Sequence, residues 1–146
     1  MDFFIYLTSF LGSLNTFLLW FIMLIFCFSS ILIFLRLFGF AGLYVYSALA
    51  VIIGNIQVLK TVDLFDSPEP VALGTVLFAS TFLCTDILSE HFGKDKAQKN
   101  VLIGFISFLF VTIIMLITIG FNPSANDWAQ DSLENIFTPM SRFFIA

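Results

Sequence analysis

The chain has 146 residues, of which 60% are hydrophobic and 11% charged, with 21 phenylalanines and a formal net charge of −4. A soluble domain carries about 45–50% apolar and about 25% charged residues. The composition therefore excludes a water-soluble globular domain and a basic nucleic-acid-binding surface, and points to an all-α, polytopic membrane protein.

The first residues, MDFFIYL, hold Asp2 and no cation. A cleavable secretory signal has a positive n-region, so the first apolar segment is expected to stay. Phe3, Phe4, Leu7, Phe10, Leu11 and Leu14 recur at helical spacing, with Asp2, Ser9 and Ser13 opposite. This predicts a short interfacial helix over 3–14, the alternative being an ordered lead-in to the first span. Residues 16–35 (TFLLWFIMLIFCFSSILIFL) carry no charge and meet the roughly 20 residues that cross about 30 Å of hydrocarbon. The predicted spans are about 16–36, 43–60, 71–90 and 101–121. The third reaches a crossing length only if its helix continues past Asp86 to Glu90. Cys27 and Cys84 both fall inside spans, and two cysteines with one His make neither a disulfide expectation nor a metal-ligand pattern.

The distribution of Lys and Arg sets the orientation. Arg36 follows the first span, and Lys94, Lys96 and Lys99 lie between the third and fourth. The loop after span two has Lys60 but also Asp63, Asp66 and Glu69, and Asp127, Asp131 and Glu134 follow span four. Met1 is expected outside and residues 89–100 in the cytoplasm of a cell that carries the protein in its plasma membrane. Beyond the fourth span, Ser124 and Asp127 have capping-box spacing. Ala129, Leu133, Ile136 and Phe137 make one apolar face, which predicts a short external amphipathic helix over about 125–137. The run SRFFIA after Pro139 is too short to span, so a single membrane domain truncated at its C-terminus is expected: either the sequence is a fragment, or the product is truncated and leans on another chain.

Two polar clusters stand out in the spans. Asp86 and Glu90 are four apart, one turn from each other on a helix face. A carboxylate at membrane depth costs about 2.5–3.5 kcal/mol on insertion scales and is a functional candidate by default. The bland alternative is a charged helix end, with Glu90 and Lys94 as an i,i+4 pair. His91, without a partner at ligand spacing, reads as a plain interfacial residue. In VIIGNIQVLK, Gln57 and Lys60 share a helix face while Asn55 points about 160° away from Gln57 on a 3.6-residue helix. All three line one pocket only if the helix unwinds, for which Gly54 offers a break. Otherwise Asn55 bridges helices and Lys60 snorkels. Phosphate-binding loops, dinucleotide fingerprints, H-E-x-x-H and Ser/His/Asp arrangements are missing from the sequence; neither catalysis nor a cofactor is expected.

The stretches GLYVYSALAVIIGNIQVLKTVDLF, GTVLFASTFLCTDILSEHFGKDKAQKNVLIGF and LENIFTPMSRFFIA resemble the queuosine precursor transporter family, also called the vitamin uptake transporter family. The likeness covers residues 40–146 and is most specific in the middle motif. It implies a six-helix membrane fold like that of the substrate-binding subunits of energy-coupling-factor vitamin transporters. The implied cargo is 7-cyano-7-deazaguanine or 7-aminomethyl-7-deazaguanine. Asn55, Gln57 and Lys60 match an N-I-Q-x-x-K element, and Asp86, Glu90, Gly93 and Lys94 match D-I-L-x-E-x-x-G-K; by the resemblance Asn55, Gln57, Lys60, Asp86 and Glu90 bind the substrate. A deazaguanine offers an edge of donors and acceptors that a carboxylate, Asn or Gln reads bidentately. TPMSRFF departs from the family's G-x-x-P-R-I pattern but keeps Arg142, and members continue for two more spans. Two rival readings remain: a vitamin-binding subunit of an ATP-driven uptake system, and a non-transporting four-span interaction protein. The missing spans would come from a second copy or a second chain.

Overall fold

The computed structural model describes residues 2–63 and 69–142, with side chains through Met140. Asp66 and the end of the SRFFIA run lie outside these. Six helices follow in order: α1 Asp2–Gly12, α2 Thr16–Phe38, α3 Phe40–Gln57, α4 Thr75–Phe92, α5 Lys94–Ile119 and α6 Gln130–Arg142. A two-stranded antiparallel sheet, β1 Thr61–Val62 and β2 Val71–Ala72, precedes α4 with Thr61 opposite Ala72. The protein is an all-α bundle. Helices α2, α3 and α5 are long and apolar enough to cross a membrane. Helix α4 equals α3 in length, but Asp86, Glu90 and His91 in its last turns lower its mean hydropathy.

Local chemistry explains where the helices stop. Asn15 caps α2, its Oδ1 accepting from the Phe17 N–H at 2.8 Å. Gly39 ends α2 and starts α3 with φ of 60°, and Gly93 does the same between α4 and α5 with φ of 95°. These left-handed conformations suit glycine because it has no Cβ, so each helical hairpin turns on a single residue. Phe40, just after the first turn, packs on Phe92, just before the second, with ring centroids 6.0 Å apart. Lys96 Nζ sits 3.9 Å over the Phe40 ring and 5.3 Å from that of Phe92. A cation–π contact thus ties the two turns together at one end of the bundle, and Lys96, expected only to mark the inner side, also holds the hairpins in register.

The centre of the bundle is α3, which touches α2, α4 and α5. Its buried stripe is Gly42, Leu43, Tyr46, Ser47, Ala50 and Gly54, and α4 faces it with Leu77, Ser80, Cys84 and Leu88. Small residues let the helices approach closely, as membrane packing requires where lipid is as apolar as leucine. A Cβ on Gly42 would collide with the Phe34 carbonyl of α2, and one on Gly74 would lie 2.5 Å from the Gly54 carbonyl. On the other flank Gly104 of α5 admits the Val51 side chain.

Several expected boundaries shift. The third span does not begin at Val71: β-branched Val62 and Val71 pair across the sheet, and the helix starts only after Gly74. The expected break at Gly54 is not there, since α3 runs unbroken to Gln57 and Gly54 serves close packing against α4. The fourth helix starts at Lys94, so the lysine-rich segment is its first turns rather than a loop. The last helix starts five residues late, at Gln130, because Asp127 spends its Oδ1 on the Ala129 N–H at 2.8 Å. It continues through Pro139, whose ring nitrogen forgoes only one helix hydrogen bond. Rather than projecting away, α6 folds back along α5: Phe137 and Met140 are buried against Phe108, Val111 and Met115. Phe108 lies roughly 16 Å below the end of α5 at 1.5 Å per residue. Helix α1 forms over Asp2–Gly12, with every residue exposed.

Gly42→Ala should destabilise the α2–α3 crossing by about 1–3 kcal/mol, the usual cost of overpacking, read as a lower melting temperature in detergent. An unchanged value would show that α2 and α3 are not held together at this contact.

Candidate binding site

A cavity of about 320 Å³ opens between α2 and α3, with Leu77 of α4 at its base. Met23, Phe26, Cys27 and Phe34 line it from α2, and Tyr46 and Gln57 from α3. Its size is at the lower end for small-molecule sites, which combine apolar and aromatic walls with a few placed polar groups. The rings of Phe34 and Tyr46 meet edge to face, centroids 6.1 Å apart at 69°. Both rings border the cavity, steeply inclined to each other.

The polar groups around the cavity divide into those that are satisfied and one that is not. Tyr46 donates its hydroxyl to Ser80 Oγ at 2.8 Å, and Ser80 donates in turn to the Leu77 carbonyl at 2.6 Å. Ser30 donates to its own helix at the Phe26 carbonyl, 2.7 Å away. Gln57 is different. Its Nε2 has only the Met23 thioether at 3.9 Å, a weak acceptor, and its Oε1 is buried without a hydrogen-bond partner. A buried acceptor left unmet costs about 1–3 kcal/mol. Among the polar side chains lining this cavity, Gln57 is thus the one whose amide oxygen has no hydrogen-bond partner.

The structure separates the other expected site residues from Gln57. Asn55 gives its Nδ2 to the Val51 carbonyl at 2.7 Å and shares the helix face of Val51, which packs on Gly104; it does not line the cavity. Lys60 lies beyond the end of α3, exposed, its carbonyl accepting from Leu73 N–H at 3.0 Å beside the sheet. Asp86 and Glu90 are exposed on the face of α4 that carries Phe82, away from Ser80 and Cys84. At 1.5 Å per residue Asp86 is about 10 Å from Gly93 along the helix and Glu90 about 4.5 Å. Glu90 and Lys94 are not i,i+4 neighbours on one helix after all, because Gly93 divides α4 from α5. Sequence reasoning missed Met23, Phe34, Tyr46 and Ser80. A tyrosine inside an apolar span does signal a buried hydroxyl in need of a partner, but nothing in the sequence names Ser80 as that partner.

Comparison with known proteins adds the lineage. Residues 72–146, just over half of the chain, match the family described as "Putative vitamin uptake transporter". A "Probable queuosine precursor transporter" of Bacillus subtilis (strain 168) is 37% identical over 118 residues, 81% of this chain and 51% of that protein. The chain belongs to the vitamin uptake transporter family. It is thus a multi-pass membrane protein of a transporter family, and it spans about half the length of the curated relative it matches. No solved structure is matched. The family match contains Asp86 and Glu90, whereas the residues around Gln57 precede it. The match to the Bacillus subtilis relative, at 118 of the 146 residues, is long enough to take in both Gln57 and the Asp86–Glu90 face.

Gln57→Leu, which removes the unmet amide while keeping most of the volume, should leave the melting temperature in detergent unchanged or raise it. A clear fall would mean that Gln57 is a structural contact rather than a group held in readiness.

Proposed function

We propose that this protein takes up a queuosine precursor, a 7-deazaguanine bearing a cyano or aminomethyl group, across the plasma membrane, with Gln57 in the α2–α3 cavity as the residue that reads it. The observation that carries this reading is the buried, partnerless Gln57 Oε1 beside an aromatic-walled cavity of about 320 Å³. A deazaguanine is flat, small and edged with adjacent donors and acceptors. Phe34 and Tyr46 offer it aromatic contact, and the Gln57 amide suits its edge bidentately. The similarity to a protein named as a queuosine precursor transporter supports the same cargo. The orientation is the one the cations favour: Arg36, Lys94, Lys96 and Lys99 cluster about the Gly39 and Gly93 turns, which puts these turns in the cytoplasm. Cysteines introduced at Gln98 and Asp63 test this. A charged thiol reagent added outside should label the Asp63 variant and leave the Gln98 variant unmodified, and the reverse pattern would invert the protein.

Asp86 and Glu90 take a different part in this reading. They lie on an exposed helix face at or just below the membrane surface, where an uncovered carboxylate is costly. Helices supplied by a second copy, a second chain or a longer form of this one would cover that face and bring the two carboxylates to a closed site. The functional test uses a strain unable to synthesise the precursor, supplied with 7-cyano-7-deazaguanine, with queuosine in tRNA as the readout. Gln57→Leu should lower uptake at least about tenfold, as expected when one buried hydrogen-bonded pair worth about 1.4 kcal/mol is lost, at unchanged membrane protein levels. Asp86→Asn should also lower uptake. Normal queuosine in the Gln57→Leu strain would remove the cavity from the transport path.

A further inference from the structure

A second, larger cavity of about 510 Å³ lies next to the first, where the α1–α2 junction meets the sheet. Leu14 and Trp20 line it on one side and Lys60, Val62 and Leu73 on the other. Of all the residues lining either cavity, two line both: Met23 and Phe26. They sit one turn apart on α2 and stand as a wall bordering both an outer chamber, lined in part by Lys60, and an inner one, lined in part by Gln57.

The two wall residues differ in what holds them. Phe26 is 72% exposed and stands at the edge of the wall. Met23 is half-buried, and its one polar contact is the Gln57 Nε2 at 3.9 Å from its sulfur. A methionine side chain is unbranched with three rotatable bonds and adapts easily to a changed cavity. A thioether is also a poor acceptor that any carbonyl or ring nitrogen displaces. Met23 is otherwise held by packing against the core of α3 and α4, and its polar contact is with the same amide that lines the inner chamber.

We propose that Met23 is a gate between the Lys60 chamber and the Gln57 chamber, and that a planar heteroaromatic solute entering from the Lys60 side opens it by taking over the Gln57 amide. This rests on the reading of Gln57 as the ligand-reading residue. A solute with a donor beside an acceptor satisfies Gln57 Oε1 and replaces the Met23 sulfur at Nε2 in one step, so occupancy and gate position are coupled through a single side chain. A solute without that pair of groups leaves the tether in place. The gate then adds selectivity to the cavity's shape.

Cys27, which lines the inner chamber only and is 4% exposed, is a natural reporter. The other cysteine, Cys84, lines neither chamber and is replaced by serine in all variants. A charged, membrane-impermeant methanethiosulfonate is added to the Lys60 side of membrane vesicles; the Cys27 thiolate displaces its sulfinate and forms a mixed disulfide. Met23→Ala should speed this modification about tenfold, the change that removing about 1.4 kcal/mol of barrier gives. Met23→Trp should slow it, and Gln57→Leu should speed it by releasing the untouched Met23. Equal rates in all of these, or no modification of Cys27 in any, would overturn the gate. Because reagent access is read without transport, a gate that responds in a Gln57→Leu strain with normal uptake would overturn the ligand reading of Gln57 instead, leaving Met23 as a barrier of another kind.

Discussion

The constraint on which the rest of this structure depends is the need for backbones to touch where glycine permits it. Helices in lipid gain little from burying apolar side chains against one another, so close contact and internal polar pairing must hold them. Helix α3 is the member that does this on three sides. Gly42 lies against the Phe34 carbonyl of α2, Gly54 against Gly74 ahead of α4, and Val51 against Gly104 of α5. The contact at Gly42 is near the Gly39 turn, so α2 and α3 are pinned at that end. The cavity opens farther along, where Met23, Phe26 and Gln57 replace small residues.

Most polar side chains within the helices bond to a backbone carbonyl or to one another, the buried Ser47 Oγ, Gln57 Oε1 and Asn100 Oδ1 being left without a partner. Thr81 gives its hydroxyl to the Phe78 carbonyl, Thr85 to that of Thr81 and Thr112 to that of Phe108. Asn55 satisfies a donor in its own helix, and Tyr46 and Ser80 satisfy each other across α3 and α4. Asn100 reaches Thr85 Oγ1 at 3.4 Å through Nδ2, although its Oδ1 stays unmet in the packed α4–α5 contact. Of the three unmet groups, Gln57 is the one that lines the α2–α3 cavity. In a medium without water such an unmet group is costly.

The opposite end of the bundle shows a different solution for charge. Lys96 lies against two rings that belong to two separate turns, which lets a cation at the membrane edge contribute to packing as well as to orientation. Its neighbours Lys94 and Lys99 are exposed. A turn made of one glycine has little freedom other than rotation about its own dihedrals, and the Phe40–Phe92 contact with Lys96 above it limits relative movement of the hairpins there.

The sequence by itself determined the class of protein, the membrane setting and the existence of each helix, because hydrophobic runs of crossing length and helical periodicity are local properties of a chain. It also singled out Gln57 as an amide out of place in an apolar span. Tertiary structure decided what those residues face. Asn55, Gln57 and Lys60 are close in sequence yet diverge, because α3 stays helical through Gly54 and ends at Gln57. Asp86 and Glu90 share a helix face as their spacing requires, but that face turns away from α3 because the small residues Ser80 and Cys84 occupy the contact. Met23 and Phe26, unremarkable members of an apolar run, became the wall between two chambers only when α1, α2, α3 and the sheet came together. A cavity is made by residues distant in sequence, so its walls are legible only once the chain has folded.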